Sequence, residues 1–160
     1  MPQGDSEIIE ALNDILSAEL TAINQYFVHY KMCENWGISR IAAKKKEESI
    51  EEMTDADRII ERILYLDGVP NMQRMKPIRV GEDVAEMHKL DLAVEVEACK
   101  RYNAAITLAS AKGDNGTRAL CEQHLRTEEE SVDWLEAQLY QIEKVGHEAY
   151  LAEQLHGDGG

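Results

Sequence analysis

Four glutamates recur in this chain at a spacing that metal chemistry can use. Glu19 precedes Glu52 by 33 residues, and Glu95 precedes Glu128 by the same 33. Each half of the array is one lone Glu, then a Glu with a second polar residue three positions later, Asp55 in the first half and Ser131 in the second. That order is the layout of a carboxylate-bridged two-metal site in a four-helix bundle, where two helices give one Glu each and two give a Glu-x-x-His pair. Asp55 and Ser131 stand where both histidines would be.

A lone Glu on a helix is ordinarily a solvated side chain, so the shared spacing carries the reading. Glu19 lies between Ile15 and Ala22, and Glu128 between Leu125 and Leu135, on stripes that should be buried. A buried carboxylate is costly unless it is paired or bound to a cation. Five carboxylates and a hydroxyl exceed the charge of two divalent ions by one, so some acids should have raised pKa values without metal. An oxygen-only set also suits hard ions better than iron, for which imidazole is a usual ligand. Weak or single-site binding is expected, at Glu19, Glu52 and Asp55 with Glu128 bridging, rather than competent oxidation at two irons.

The elements that must hold these residues are all helical. Asp5 or Ser6 caps a first helix whose positions Ile8, Leu12, Ile15, Glu19, Ala22, Tyr26 and Tyr30 form one stripe. After Gly37 and Ser39 a second helix runs to Leu66, where Asp67-Gly68-Val69-Pro70 stops it. Residues 69–81 form a connection long enough to cross the bundle, so the third helix should run parallel to the second. That third helix is expected from Glu82-Asp83 to Lys112-Gly113, and a fourth from Thr117 to Val145-Gly146. The prediction is an all-α, four-helix bundle over about 5–146 within one domain, 1–160. It has a long crossover between its second and third helices, a short fifth helix over about 147–156 and a disordered tail, 157–160. The 76-residue offset between Glu19 and Glu95 recurs between Glu52 and Glu128, which implies a pseudo-two-fold relation between the halves.

A formal charge of −14, from 31 acidic and 17 basic residues, argues against nucleic acid and anionic membranes as partners. Cys33, Cys99 and Cys121 are too scattered for a disulfide frame and read as reduced thiols. With neither a signal peptide nor a membrane span expected, the expected compartment is the cytoplasm. Met53 follows Glu52 and so points about 100° away from the acidic stripe. It shares its face with Ile50, Ala56, Asp57 and Ile60, while Leu20, Ile23, Asn24 and Phe27 make a similar second face on the first helix. That is more apolar surface than one bundle buries, which implies self-association. Met53 reads first as packing, although a thioether is also an axial haem ligand.

Longer stretches carry a resemblance. Asn24-Gln25-Tyr26-Phe27, Asn35-Trp36-Gly37, Glu52-Met53, the run Ala56 to Leu64, Gly81-Glu82-Asp83-Val84, Asp91-Leu92-Ala93 and Asp133-Trp134-Leu135-Glu136 together resemble bacterioferritin over nearly the full chain. The resemblance implies a ferritin-like fold and a hollow shell of about 24 subunits storing iron as a ferric mineral. It implies haem b at the two-fold interfaces, held between two copies of Met53. It places ferroxidase ligands at Glu19, Glu52, Asp55, Glu95, Glu128 and Ser131, with Tyr26 near the centre; the family has His at the positions of Asp55 and Ser131. Some such shells mix two subunit types, and this chain is similar to the haem-bearing type, working in a homo- or hetero-oligomer with a ferroxidase-active partner subunit. By the same resemblance an iron-sulfur ferredoxin supplies electrons through the haem for iron release.

Alternatives are an active ferroxidase with an oxygen-rich di-metal centre and a purely structural shell subunit. The DNA-protecting ferritin-like dodecamers fit less well, since their iron site lies between subunits. Lys44-Lys45-Lys46 reads as a solvated face, with Lys46 alternatively pairing with a haem propionate. His124, one turn before Glu128, reads first as an exposed or interface histidine and alternatively as a replacement nitrogen at the metal centre. His29, His88, His147 and His156 show no ligand spacing.

Overall fold

A computed structural model describes residues 3–156, so the tail expected to be disordered lies outside the described residues. Five helices follow one another: α1 (Ser6–Asn35), α2 (Ser39–Tyr65), α3 (Val84–Lys112), α4 (Asn115–Val145) and the short α5 (His147–Ala152). The architecture is the expected four-helix bundle with a terminal helix. α1 packs on α2 and α3, α3 on α4, and α5 on the end of α4.

Local chemistry sets the boundaries. The Asp5 carboxylate accepts from the backbone of Glu7 and Ile8, and Asp83 accepts from Glu86. At the far end of α3, Gly113 takes φ 73°, a left-handed conformation that costs glycine little. α4 begins two residues earlier than the sequence implies, because Asp114 caps it and accepts from both the backbone and the hydroxyl of Thr117. Arg62 of α2 donates to Asp114 at 2.8 Å and to Thr117 at 3.1 Å, tying that start to the neighbouring hairpin.

The crossover is held by a ladder on α1. Asn13, Ser17, Thr21, Gln25 and His29 lie four residues apart and so form one row along the helix. Asn13 donates to the carbonyl of Val69 and accepts from the Asn71 backbone, and Ser17 donates to the carbonyl of Arg74. Thr21, Gln25 and His29 accept from the backbones of Lys76, Arg79 and Gly81 at 3.0, 3.2 and 2.9 Å. The connection therefore climbs along α1 from its first turns to its last, and α3 starts beside the C-terminal end of α1. Lys112, closing α3, pairs with Asp5 at the other end, so α3 runs antiparallel to α1 and parallel to α2, as expected.

Two apolar clusters fill the bundle ends. One gathers Ile8, Leu12, Leu16, Ile59, Ile63, Ala109 and Cys121; the other gathers Cys33, Ile38, Ile41, Val84, Met87 and Tyr150. Between them lie two polar layers. The first corrects the sequence reading of the lysine run, for Lys45 is fully buried. Its ammonium donates to Asp91 at 2.7 Å and lies 3.1 Å from Nδ1 of His88. Asp91 also meets Nδ1 of His29 at 3.0 Å and accepts from Gln25 at 2.9 Å. Burial alone would raise the Asp91 carboxyl, but Lys45 and His29 outweigh it and hold it at about 2.

Replacing Lys45 alone by Met leaves Asp91 buried without its cation and should cost about 3–5 kcal/mol, whereas Lys45→Met with Asp91→Leu should recover most of that loss. Thermal unfolding of the two variants decides it; equal losses would refute the pairing. Because Asp91 titrates below its unfolded value, its contribution is complete above about pH 4 and is lost as pH falls toward 2.

Candidate metal centre

The second polar layer is built from the glutamates singled out by spacing. Each projects inward from the middle of its helix, Glu19 from α1, Glu52 from α2, Glu95 from α3 and Glu128 from α4, and all are buried. Asp55, one turn beyond Glu52, is half-buried beside them. One carboxylate oxygen each from Glu19, Glu52, Asp55 and Glu128 lie within 4.8 Å of one another. Glu95 joins a second group within the same limit, with Glu52 and Glu48. Glu52 is therefore shared by two adjoining oxygen clusters.

Glu48 and Tyr102 were not read from the sequence. Both carried a signal, since Glu48 precedes Glu52 by four residues and Tyr102 follows Glu95 by seven, positions on the same helix faces. Ser131 turns its hydroxyl to Glu48, donating at 2.9 Å. Tyr102 donates to Glu19 at 2.9 Å. Tyr26 is buried, and its hydroxyl has no hydrogen-bond partner. His124 corrects the sequence reading, for it is 2% exposed rather than a surface histidine, and its Nε2 lies 3.7 Å from Asp55.

The electrostatics are those of acids crowded out of water. Burial, followed by the facing carboxylates, pushes Glu52, Glu95 and Glu128 well above the usual range. Burial raises Glu19 and Asp55 to about 7, although Arg58 partly opposes the rise at Asp55. Burial and then Arg58 lower His124 to about 4, so its ring is neutral near pH 7. Both oxygens of Glu95 and of Glu128, and one each of Glu19 and Glu52, have no hydrogen-bond partner. Buried oxygens left in this state call for a cation.

A cleft of about 260 Å³ between α2 and α4 leads to the layer, with Glu51, Asp55 and Arg58 on one wall and Glu128 and Ser131 on the other. The arrangement can therefore take up divalent cations from one side of the bundle. Met53, on the same helix as Glu52, faces away and is 58% exposed, as is Ile50, with Phe27 at 53%. Ala56 and Ile23, expected on these outer faces, instead pack into the core. Among the described residues, no helix is long and apolar enough to cross a membrane.

The chain matches the ferritin-like domain family over residues 9–145. It is 46% identical over 151 residues to a bacterioferritin of Mycolicibacterium paratuberculosis, covering 94% of this chain and 95% of that protein. Identity to a Mycobacterium tuberculosis bacterioferritin is 43% over the same length and shares. A Brucella melitensis bacterioferritin is 41% identical over 148 residues, 92% of each chain.

Without metal, Glu19 and Asp55 hold protons in the folded state that the unfolded chain releases near its ordinary carboxyl values. Folding stability should therefore fall, by on the order of a few kcal/mol, as pH rises from about 4.5 to about 7. A divalent cation that takes the place of those protons should flatten this slope. Melting curves across that range, with chelator and with Mn2+, test it, and a stability that rises with pH under chelator would refute it.

Proposed function

The chain belongs to the bacterioferritin family of ferritin-like proteins, and on that footing we propose that it is an iron-storage subunit with two separate centres of unequal competence. In a shell of about 24 copies, alone or with a ferroxidase-active partner subunit, it carries haem b and a metal centre impaired for iron oxidation. The cytoplasm is its compartment. The observation that carries this reading is the division of α2 within a single step of chain: Glu52 is buried in the acidic layer while Met53 is exposed.

At the acidic layer iron is the substrate. Glu19, Glu52, Asp55, Glu95 and Glu128 supply anionic oxygens that attract Fe2+ and neutralise it, with Tyr26 beside them and the cleft between α2 and α4 as the way in. What the layer lacks is the pair of imidazoles that two histidines would give at Asp55 and Ser131. Hard oxygen donors hold a divalent ion without favouring cycling between two iron oxidation states. Ser131 serves as a donor to Glu48 and so sets the orientation of a neighbouring carboxylate.

The outer face suits haem. Met53 is exposed beside exposed Ile50, while Phe27 is exposed on the adjoining helix, so a thioether projects from an apolar surface that a second copy can cover. Two Met53 side chains, one from each of two copies, would supply the axial ligands, and Lys46, exposed on the same helix, could meet a propionate. Such a haem would pass electrons inward from a reductant such as an iron-sulfur ferredoxin, releasing stored iron. Met53 would hold the ring, while Glu52 faces the acidic layer from the same helix turn.

A second reading, an active ferroxidase with an oxygen-rich di-metal centre, is favoured by one observation. Glu48, Glu52 and Glu95 form a further three-oxygen group beside the first, so two cation positions sharing Glu52 are available. Iron oxidation by the pure protein separates the two readings. We expect a Soret band that Met53→Leu removes, slow oxygen-dependent Fe2+ oxidation, and a rise of at least about tenfold in that rate with Asp55→His and Ser131→His together, the Soret band unchanged. Fast oxidation by the unaltered protein would establish the second reading, and no Soret band after expression with ample haem would remove the haem from the first.

A further inference from the structure

The acidic layer has a nitrogen beside it that the spacing of its glutamates does not reveal. His124 lies on α4 one turn before Glu128, and its ring reaches across to Asp55 on α2. We infer that His124 Nε2, together with the Asp55 carboxylate, is a ligand of one cation at the edge of this layer, giving a mixed nitrogen and oxygen position. The inference rests on the reading of the layer as a metal centre and goes beyond it by assigning a ligand and a type of site.

With Glu19 and Asp55 ionised, as they are when a cation is bound, the hydrogen-bond chain selects one tautomer. Tyr102 has one hydroxyl proton, and it donates that proton to Glu19 at 2.9 Å. Its oxygen lies 3.1 Å from Nδ1 of His124 and, with its proton spent on Glu19, can only accept there. Nδ1 must then carry the ring proton, which leaves a bare lone pair on Nε2. That nitrogen lies near the Asp55 carboxylate, itself only an acceptor when ionised. Two acceptors 3.7 Å apart repel, the distance is too long for a shared proton, and Nε2 is buried without any hydrogen-bond partner. A cation between them resolves the conflict, since bonds of roughly 2.1 Å to each atom span that distance. Orientation of a ligating imidazole by a hydrogen bond at its other nitrogen is the usual device in metal sites, and Tyr102 supplies it here.

The arrangement also makes the two halves of the centre unlike. On the Asp55 side an imidazole is within reach. On the Ser131 side the neighbours are Glu48, Glu52 and Glu95, oxygen donors only. The first position should prefer Co2+, Fe2+ or Zn2+, and the second Mn2+ or Mg2+. A centre with one nitrogen on one side alone differs from both a symmetric two-iron site and an all-oxygen one.

The test uses Co2+ on the assembled oligomer under anaerobic, reducing conditions, followed by visible absorption and by pulsed electron paramagnetic resonance. We expect the tightest Co2+ equivalent per subunit to show hyperfine coupling to an imidazole nitrogen. His124→Leu should abolish that coupling and weaken the same equivalent about tenfold or more, while leaving the Soret band in place. Tyr102→Phe, which frees the tautomer but keeps the ring, should weaken it less and keep the coupling. Coupling that survives His124→Leu would overturn the inference. So would tight Co2+ binding by the unaltered protein without nitrogen coupling, and that result would leave the proposed storage function standing. Failure to bind Co2+ at all would remove both this ligand and the metal centre. The spectrum of the unaltered protein decides the matter even if a variant fails to assemble.

Discussion

Everything inside this bundle answers to the cost of holding carboxylates out of water. The chain meets that cost in two ways, one layer above the other. At Asp91 the compensating cation is built in, since Lys45 is equally buried and donates to it at 2.7 Å, and the acid sits at about 2. At Asp55 the exposed Arg58 opposes burial only in part, and the same burial drives both Asp55 and Glu19 to about 7. The contrast comes from partners, not from depth. A layer that carries its own lysine is a structural element, whereas a layer that lacks one takes either protons or metal.

The helices are arranged so that this unresolved charge stays in one plane. Apolar clusters close the bundle at both ends, and the ladder from Asn13 to His29 holds the crossover along α1. With the crossover fixed on that side, α1 is covered, and the cleft opens between α2 and α4. Those helices carry Glu52, Asp55, Glu128, Ser131 and His124, so the cleft opens on the side of the layer where Asp55 and Ser131 stand. Gly81 takes part in the same constraint. Its backbone donates to His29, and a Cβ there would lie 2.5 Å from the backbone nitrogen of Met87, so the turn into α3 admits only hydrogen.

The helices, their order and the height at which four glutamates meet could be read from periodicity and spacing, because a buried stripe and a repeated offset are properties of a single strand of text. What faces a side chain is not. Lys45 stood in a run of three lysines, and only the assembled bundle, which sets α2 across from α3, shows that the middle one points inward at Asp91. His124 looked like any helical histidine until the turn from α4 placed it against Asp55. Glu48 and Tyr102 lay on faces already recognised as buried, yet a polar residue on such a face is ambiguous between a ligand and a satisfied core group. The start of α4 moved by two residues because Asp114 was both a cap and a partner of Arg62, and the second role is tertiary.

Placement of a buried acid and an exposed thioether side by side on one helix has a consequence for how each can change. Glu52 and Met53 are consecutive, so the backbone that holds one holds the other, but their side chains diverge by about 100° and face different neighbours. Substitutions at Asp55 or Ser131 alter donors around the buried plane without touching the exposed face, since neither lies on the Met53 side. The Ser131 hydroxyl donates to Glu48, so no buried donor is stranded there. At Asp55 the added charge is met partly by Arg58, which lowers it against the effect of burial. Asp55 and Ser131 thus each have a partner in place around the buried plane, Arg58 for the one and Glu48 for the other.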